Sequence, residues 1–203
     1  MTSLLIALVT APALLATNEA IRQGQTKDRR EEHRARRCNL IVSCVEASPL
    51  SLEVDHRQIV LKNSKDMNDP TLHPFAGYYL PYPDSDYEGL VSTITDVAPI
   101  MNWIYVDRET YEVRYGVRLD AQPNITGPFD CTRQERRLTL EGWEGFCAVK
   151  EVNGEEAGMW ALYYDRDEDR LVGKLGKDRT VVEIELSRQE KRVRRGKPLG
   201  EMR

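Results

Sequence analysis

The sequence lacks the motifs of nucleotide-dependent and metal-dependent enzymes. It contains no GxGxxG, GxSxG or phosphate-loop motif. Its three histidines show neither HxH nor HxxxH spacing and so predict no zinc site: His33, His56 and His73. We therefore predict no cofactor, no metal and no catalytic residue. Because a histidine can still act with a distant Cys or Ser, a diverged hydrolase remains an alternative.

Cysteine is also scarce, and the four that occur do not have the spacing of zinc ligands. Cys38 and Cys44 fall on one predicted strand with the same parity, about 20 Å apart at ~3.3 Å per residue. A disulfide needs Cα atoms within about 7 Å, so these two cannot bond each other. Any disulfide must use Cys131 or Cys147. The interpretation that we favour is buried thiols in a cytoplasmic protein.

A calcium site is excluded in the same way. Asp165, Asp167 and Asp169 alternate as they do in a calcium-binding loop. That loop requires Gly at its sixth position and Glu at its twelfth, where this chain has Arg170 and Gly176. The segment Asp165–Arg170 is therefore predicted to be a solvated hairpin turn.

The N-terminal apolar run is short for a membrane-spanning helix. Leu4–Ala16 holds 13 uncharged residues and would span roughly 20 Å as a helix, against a bilayer core of about 30 Å. Its small residues are typical of a secretory signal, but no Lys or Arg precedes Leu4. Three alternatives stay open for this run: a packed segment of the mature protein, a cleaved signal or a membrane anchor.

A dense charge run follows. Residues 12–36 begin at Pro12, are rich in helix formers and place Glu31 and Glu32 within a turn of several arginines. This pattern predicts a solvated, coiled-coil-like charged helix. If Leu4–Ala16 is an anchor, these arginines are expected at the lipid headgroups, so membrane contact through the N-terminal arm stays an alternative.

The net charge of −4 conceals a segregation of charge along the chain. Residues 1–37 carry seven basic against four acidic residues, and residues 187–203 carry seven against two. The body between them, residues 38–186, carries 15 basic against 27 acidic residues. A surface that binds phosphates should be basic, so nucleic acid is not expected as the main partner.

Short apolar runs separated by turn signals fill the body and predict about nine or ten strands. The expected fold class is mainly β, an antiparallel sandwich or a partly closed barrel, with the N-terminal helical arm. Residues 63–89 are predicted to be a loop. Eleven segments are the candidates for these nine or ten strands: Cys38–Glu46, Ser51–Asp55, Gln58–Lys62, Val91–Asp96, Met101–Asp107, Glu112–Val117, Leu138–Leu140, Gly145–Val152, Met159–Asp165, Leu171–Leu175 and Thr180–Leu186.

Aromatic residues are concentrated between His73 and Tyr87, in the segment HPFAGYYLPYPDSDY. Its prolines argue against a place in a central sheet. Tyrosine offers a large apolar contact area and a hydroxyl group that can form hydrogen bonds, so the segment is a candidate recognition surface. With three tryptophans, the candidate interaction residues are Phe75, Tyr78, Tyr79, Tyr82, Tyr87, Trp103, Trp143 and Trp160.

Three stretches together resemble a group of uncharacterised proteins of filamentous fungi. They are REEHRARRCNLIVSC at the end of the arm, HPFAGYYLPYP, and GWEGFCAVKE followed by LYYDRDED. The resemblance covers most of the chain. It implies no activity and transfers no functional residue.

The chain is accordingly divided into a helical arm at 1–37, a β-rich domain at 38–186 and a basic, mobile tail at 187–203. The expected function is that of a non-catalytic interaction module whose partner is a protein, located in the cytoplasm. The first alternative is a secreted or membrane-associated protein, with small-molecule binding and with Leu4–Ala16 as its signal or anchor. The diverged hydrolase is the second.

Overall fold

A computed structural model of the chain describes residues 19, 22–25, 34–46, 48–61, 73–93, 101–152 and 158–190. The chain consists of two compact units, Met1–Arg36 and Arg37–Arg203. In the first unit, the described residues 22–25 and 34–35 are helical. These short pieces do not establish a continuous helix over residues 12–36. The run Leu4–Ala16 lies outside the described residues.

The second unit is built almost entirely from antiparallel strands. Its described part, between residues 38 and 190, contains three short helices: α1 (Ser51–Val54), α2 (Arg118–Ala121) and α3 (Val172–Leu175). Its strands are β1 (Cys38–Cys44), β2 (Val60–Leu61), β3 (His73–Pro74), β4 (Gly77–Pro81), β5 (Glu88–Thr93), β6 (Met101–Val106), β7 (Val113–Gly116), β8 (Phe129–Cys131), β9 (Leu138–Leu140), β10 (Phe146–Lys150), β11 (Trp160–Tyr164) and β12 (Val181–Glu190).

Eight of these strands form one sheet, in the order β11-β10-β12-β1-β4-β5-β6-β7. Its two edge strands meet. The N–H of Tyr164 donates to the carbonyl oxygen of Tyr111 at 2.9 Å, and Glu112 and Tyr163 form an antiparallel bridge. The sheet therefore curls into a nearly closed barrel, which confirms the predicted mainly β class.

Successive side chains of a strand point to opposite faces of the sheet. One face of each strand therefore points into the barrel and the other points outward. Leu40 and Val42 of β1 are buried in the main core, as are Leu90 of β5, Ile104 of β6 and Ile184 of β12. The hairpin β8–β9 closes one end of this core. The Tyr79 and Tyr164 hydroxyls donate to its main chain, at Asp130 (3.0 Å) and Leu140 (2.6 Å).

A smaller cluster packs against the outer face of β4, β5 and β6. Trp103 and Tyr105 of β6 point away from the main core and are covered by Ala121 of α2 and by Tyr82. The Tyr82 and Trp103 rings meet edge to face with centroids 4.9 Å apart. This geometry is the favourable one for aromatic pairs.

The prediction of a loop at residues 63–89 is wrong for the described residues that lie in β3, β4 and the start of β5, whereas residues 82–87 do form a turn. β4 lies inside the large sheet, between β1 and β5. Its prolines do not prevent this, because Pro74 precedes the strand and Pro81 ends it, leaving Gly77–Leu80 free to donate to the neighbouring strands. Residues 62–72 lie outside the described part.

Two predicted strands are helices instead. Ser51–Val54 is helical because Ser48 and Ser51 exchange hydrogen bonds that wind the chain at this point: the N–H of Ser51 donates to the Ser48 hydroxyl at 3.1 Å. Val172–Leu175 is helical, and the Asp169 carboxylate accepts the N–H of Gly173 at 2.7 Å. Local hydrogen bonds from side chains to the main chain therefore outweighed the apolar runs.

The predicted turn Asp165–Arg170 does not join paired strands. β10 lies between β11 and β12, so these two are not neighbours. The Asp165 carboxylate is buried and accepts main-chain N–H groups of Asp169 (3.2 Å), Arg170 (2.8 Å) and Leu171 (3.4 Å). These donors occupy the oxygens that a calcium ion would use.

Other differences concern the strands' number and length. β8 has no counterpart among the predicted strands, and β12 extends to Glu190, into the tail predicted as mobile. Residues 191–203 lie outside the described part. The predicted strands Met101–Asp107 and Glu112–Val117 correspond to β6 and β7, which pair as a hairpin with Val106 opposite Val113.

We expect Gly77→Ala to destabilise the barrel strongly. Gly77 pairs with Cys38, and a Cβ placed there would overlap the Phe75 ring and the carbonyl oxygen of Val91. Because one of these obstacles is backbone, the cost should be about 2 kcal/mol or more of unfolding free energy. Chemical denaturation measures it. Gly24→Ala, where no atom of the described residues lies within 4 Å, is the matched control and should leave stability unchanged.

We expect Asp165→Ala to lower the unfolding free energy by about 2 kcal/mol, because it leaves three main-chain donors without their charged acceptor. The exposed Glu168 of the same turn is the control, and Glu168→Ala should have little effect. Thermal denaturation with and without calcium tests both points. A melting temperature that rises with added calcium would contradict the structural role of Asp165.

Candidate functional site: a cavity inside the barrel

The barrel encloses a cavity of about 970 Å³. This is near the upper end of the range of small-molecule sites, roughly 300–1,000 Å³. An eight-stranded barrel is wide enough to hold one small ligand. The deep walls are mainly apolar, with Asn102 as a buried polar residue among them. The apolar residues come from strands on several sides of the barrel: Leu40, Val42, Leu90, Ile104, Phe146, Ala148 and Ile184.

The floor of the cavity is provided by the hairpin β8–β9. Phe129 and Leu138 line the cavity and are buried. The hairpin is itself fixed by the hydroxyls of Tyr79 and Tyr164, as described above. The cavity is therefore closed at the end where the edge strands meet.

The cavity widens where the edge strands β7 and β11 diverge. Beyond the Glu112–Tyr163 bridge, the described residues show no further pairing between these two strands. Tyr115, Val117, Met159 and Ala161 line the resulting opening. We call this opening, with α1 and Val60 beside it, the mouth.

The rim of the mouth carries exposed apolar side chains. Val60, Val117 and Met159 are 44%, 45% and 40% exposed, although each lines the cavity. Exposed apolar side chains around a pocket are typical of ligand entry, since they gain from being covered. An apolar ligand would cover them.

Ion pairs anchor helix α1 at one side of the mouth. The Glu53 carboxylate accepts from the Lys150 ammonium at 2.7 Å and from the Trp160 indole N–H at 3.1 Å. The hydrogen bond from Lys150, and then that from Trp160, lower the pKa of Glu53. The ammonium also lies 5.3 Å from the centroid of the Trp160 ring. These contacts tie α1 to β10 and β11.

Two further ion pairs lie on β7 and just beyond the end of β10. Arg114 binds Glu112 at 2.6 Å, and Arg179 binds Glu151 at 2.7 Å. Burial, together with the charges of Glu112 and Glu151, raises the pKa of Tyr163 to about 12. Its hydroxyl stays protonated and donates to Glu151 at 3.3 Å. These acidic groups of the rim are therefore compensated by their basic partners.

The structure does not bring the eight candidate interaction residues into one exposed surface. Four of them are buried: Phe75, Tyr79, Tyr82 and Trp103. Phe75 and Tyr79 belong to the main core, and Phe75 lines the cavity. Tyr82 and Trp103 belong to the outer cluster. These four aromatic side chains therefore pack against the barrel, two on its inner face and two on its outer face.

The other four are partly buried or exposed, and they lie at three different places. Tyr78 and Tyr87 pack on the outer cluster, and the Tyr87 hydroxyl hydrogen-bonds that of Thr126 at 2.7 Å. Trp143 is 41% exposed in the turn between β9 and β10, where its ring lies against Gly145. Trp160 alone stands at the mouth of the cavity.

The four cysteines are free thiols. Cys38 and Cys131 lie on either side of Arg188, which donates to their sulfurs at 3.2 Å and 3.5 Å. Burial raises the pKa of Cys38, and Arg188 opposes that rise. Burial also raises the pKa of Cys147 to about 12, so that thiol stays protonated and unreactive.

The described residues hold no group of three or more His, Cys, Asp or Glu able to bind a metal. Neither His56 nor His73 lines the cavity, and His33 lies outside the described part. His56 is exposed and lies 3.4 Å from the Asp55 carboxylate. No helix within the described ranges is long and apolar enough to cross a membrane.

Sequence reasoning did not identify the cavity. The apolar alternation that predicted β1, β6 and β10 also marks the residues that line it, such as Leu40, Val42 and Ile104. Alternation shows that a face is apolar, but not whether another layer fills the space in front of it. The cavity depends on how far apart opposite walls lie, and that distance is set by the closed barrel.

Comparison with known proteins gives one family. No curated protein and no solved structure matches the chain. A family model described as the fungal beta-trefoil domain matches residues 16–192, which includes every strand of the barrel. This confirms the resemblance to fungal proteins that the three sequence stretches indicated. The chain belongs to the fungal beta-trefoil domain family.

Proposed function

We propose that the protein is a non-catalytic binding module whose ligand is a small apolar molecule held in the barrel. The observation that carries this proposal is the cavity of about 970 Å³ with apolar walls and an open mouth. A well-packed core of this size would leave few voids larger than a water molecule. A retained apolar cavity favours occupation by a ligand rather than by water.

Family membership supports a binding role in general terms. Beta-trefoil domains commonly bind carbohydrates or proteins, and no specific role follows from that. Carbohydrate would need many hydrogen-bonding groups on the cavity wall. The deep wall of this cavity instead consists of side chains such as Leu90, Phe146 and Ile184. Apolar ligands therefore suit it better.

Binding to a protein partner is the second candidate function. It is supported by the exposed Trp143, since tryptophan is enriched where proteins bind each other. A cytoplasmic location is proposed with both functions and is supported by the free thiols. Secretion or membrane contact through Leu4–Ala16 remains the alternative, and N-terminal sequencing of the native protein distinguishes them.

We expect the protein to bind a neutral naphthylamine dye whose fluorescence rises in apolar surroundings. Ala148→Phe should weaken this binding about tenfold or more, because Ala148 lines the cavity and the added ring occupies the ligand's space. Fluorescence titration measures the dissociation constant of each variant. Circular dichroism establishes that each variant is folded.

Val152→Phe is the matched control. Val152 lies just beyond β10, is 58% exposed and does not line the cavity, so the same added ring should leave dye binding unchanged. Leu162→Phe provides a second obstruction at a lining position if Ala148→Phe fails to fold. Equal dye binding by wild type and both folded cavity variants would place the dye elsewhere and refute the proposal.

A further inference from the structure

The mouth of the cavity contains a cationic side chain with no ion-pair partner among the described residues. Arg57 lines the cavity and is exposed. The only hydrogen bond from its side chain to the described residues runs from Nε to the carbonyl oxygen of Glu53, at 3.3 Å. That contact leaves the terminal nitrogens of the guanidinium available. This inference rests on the proposed function and concerns the polar end of the ligand.

The register of the chain fixes the side of the barrel to which Arg57 points. Residues 57–59 run antiparallel to β1, with Gln58 opposite Ile41. The N–H of Val42 donates to the Arg57 carbonyl oxygen at 2.8 Å, which places these two residues across from each other. Opposed residues of antiparallel strands share a face. Arg57 therefore lies on the same face as Val42, which lines the cavity.

Three acidic groups of the mouth are already paired with basic side chains. Glu53, Glu112 and Glu151 each have a basic partner, at 2.7, 2.6 and 2.7 Å. The exposed Asp120 has no ion-pair partner among the described residues, and its carboxylate accepts the N–H of Val117 at 3.2 Å. A cationic group that bound Glu53, Glu112 or Glu151 would have to displace the basic partner. An incoming anionic group would meet Arg57 without displacing any ion pair.

We propose that the ligand is a long-chain carboxylic acid, with its hydrocarbon chain in the barrel and its carboxylate on Arg57. The apolar walls take the chain, and the guanidinium suits a carboxylate because its planar donors match two oxygens at once. The exposed apolar rim of Val60, Val117 and Met159 covers the part of the chain next to the carboxylate. The protein takes up this ligand as the free acid from solution.

The test is displacement of the naphthylamine dye by hexadecanoate and by its methyl ester, which has the same chain without the charge. We expect wild type to bind the acid about fivefold more tightly than the ester, a modest factor because the pair is exposed to solvent. Arg57→Gln should bring the two ligands to within about twofold of each other. Its affinity for the ester should not change.

Arg118→Gln is the control, since Arg118 is also an exposed arginine but pairs with Asp84 and does not line the cavity. It should keep the preference for the acid. Equal binding of acid and ester by wild type, or an undiminished preference in Arg57→Gln, overturns this inference while dye binding in the cavity still supports the proposed function. Failure of the dye itself to bind overturns both.

Discussion

Closure of the sheet is the constraint on which the rest of this structure depends. An open eight-stranded sheet would present two rows of unpaired main-chain groups, which invite association with other chains. Here the N–H of Tyr164 reaches the carbonyl oxygen of Tyr111, and Glu112 pairs with Tyr163. This one contact turns a sheet into a barrel. Because the sheet is closed, one face of every strand in it points into a common interior.

The same closure explains why that interior is not filled. The edge strands meet at one end only, so the barrel is sealed near Tyr164 and diverges toward Val117 and Met159. Side chains from opposite walls meet near the sealed end, where the hairpin β8–β9 supplies Phe129 as floor. Toward the diverging end the walls separate and leave an apolar space. The ion pair of Glu53 with Lys150 then holds helix α1 beside the opening.

Local pattern predicted much of the fold, because strands such as Met101–Val106 carry their alternation in the sequence. It failed at Ser51–Val54 and Val172–Leu175, where a few side-chain hydrogen bonds wind the chain against its apolar pattern. It also failed for the aromatic segment, because large aromatic side chains such as Phe75 and Tyr79 occur both in binding surfaces and in cores. In this structure both are buried. The role of Arg57 depends on pairing across the barrel, and no short stretch of sequence contains that information.

The central claim is that the barrel contains an apolar space that an apolar molecule can occupy. A crystal of the protein held under xenon pressure tests it most directly, because xenon enters dry apolar cavities and scatters anomalously. The account predicts xenon between Leu90, Phe146 and Ile184, in the deep part of the cavity. A structure in which these side chains meet one another, with no xenon between them, would contradict it.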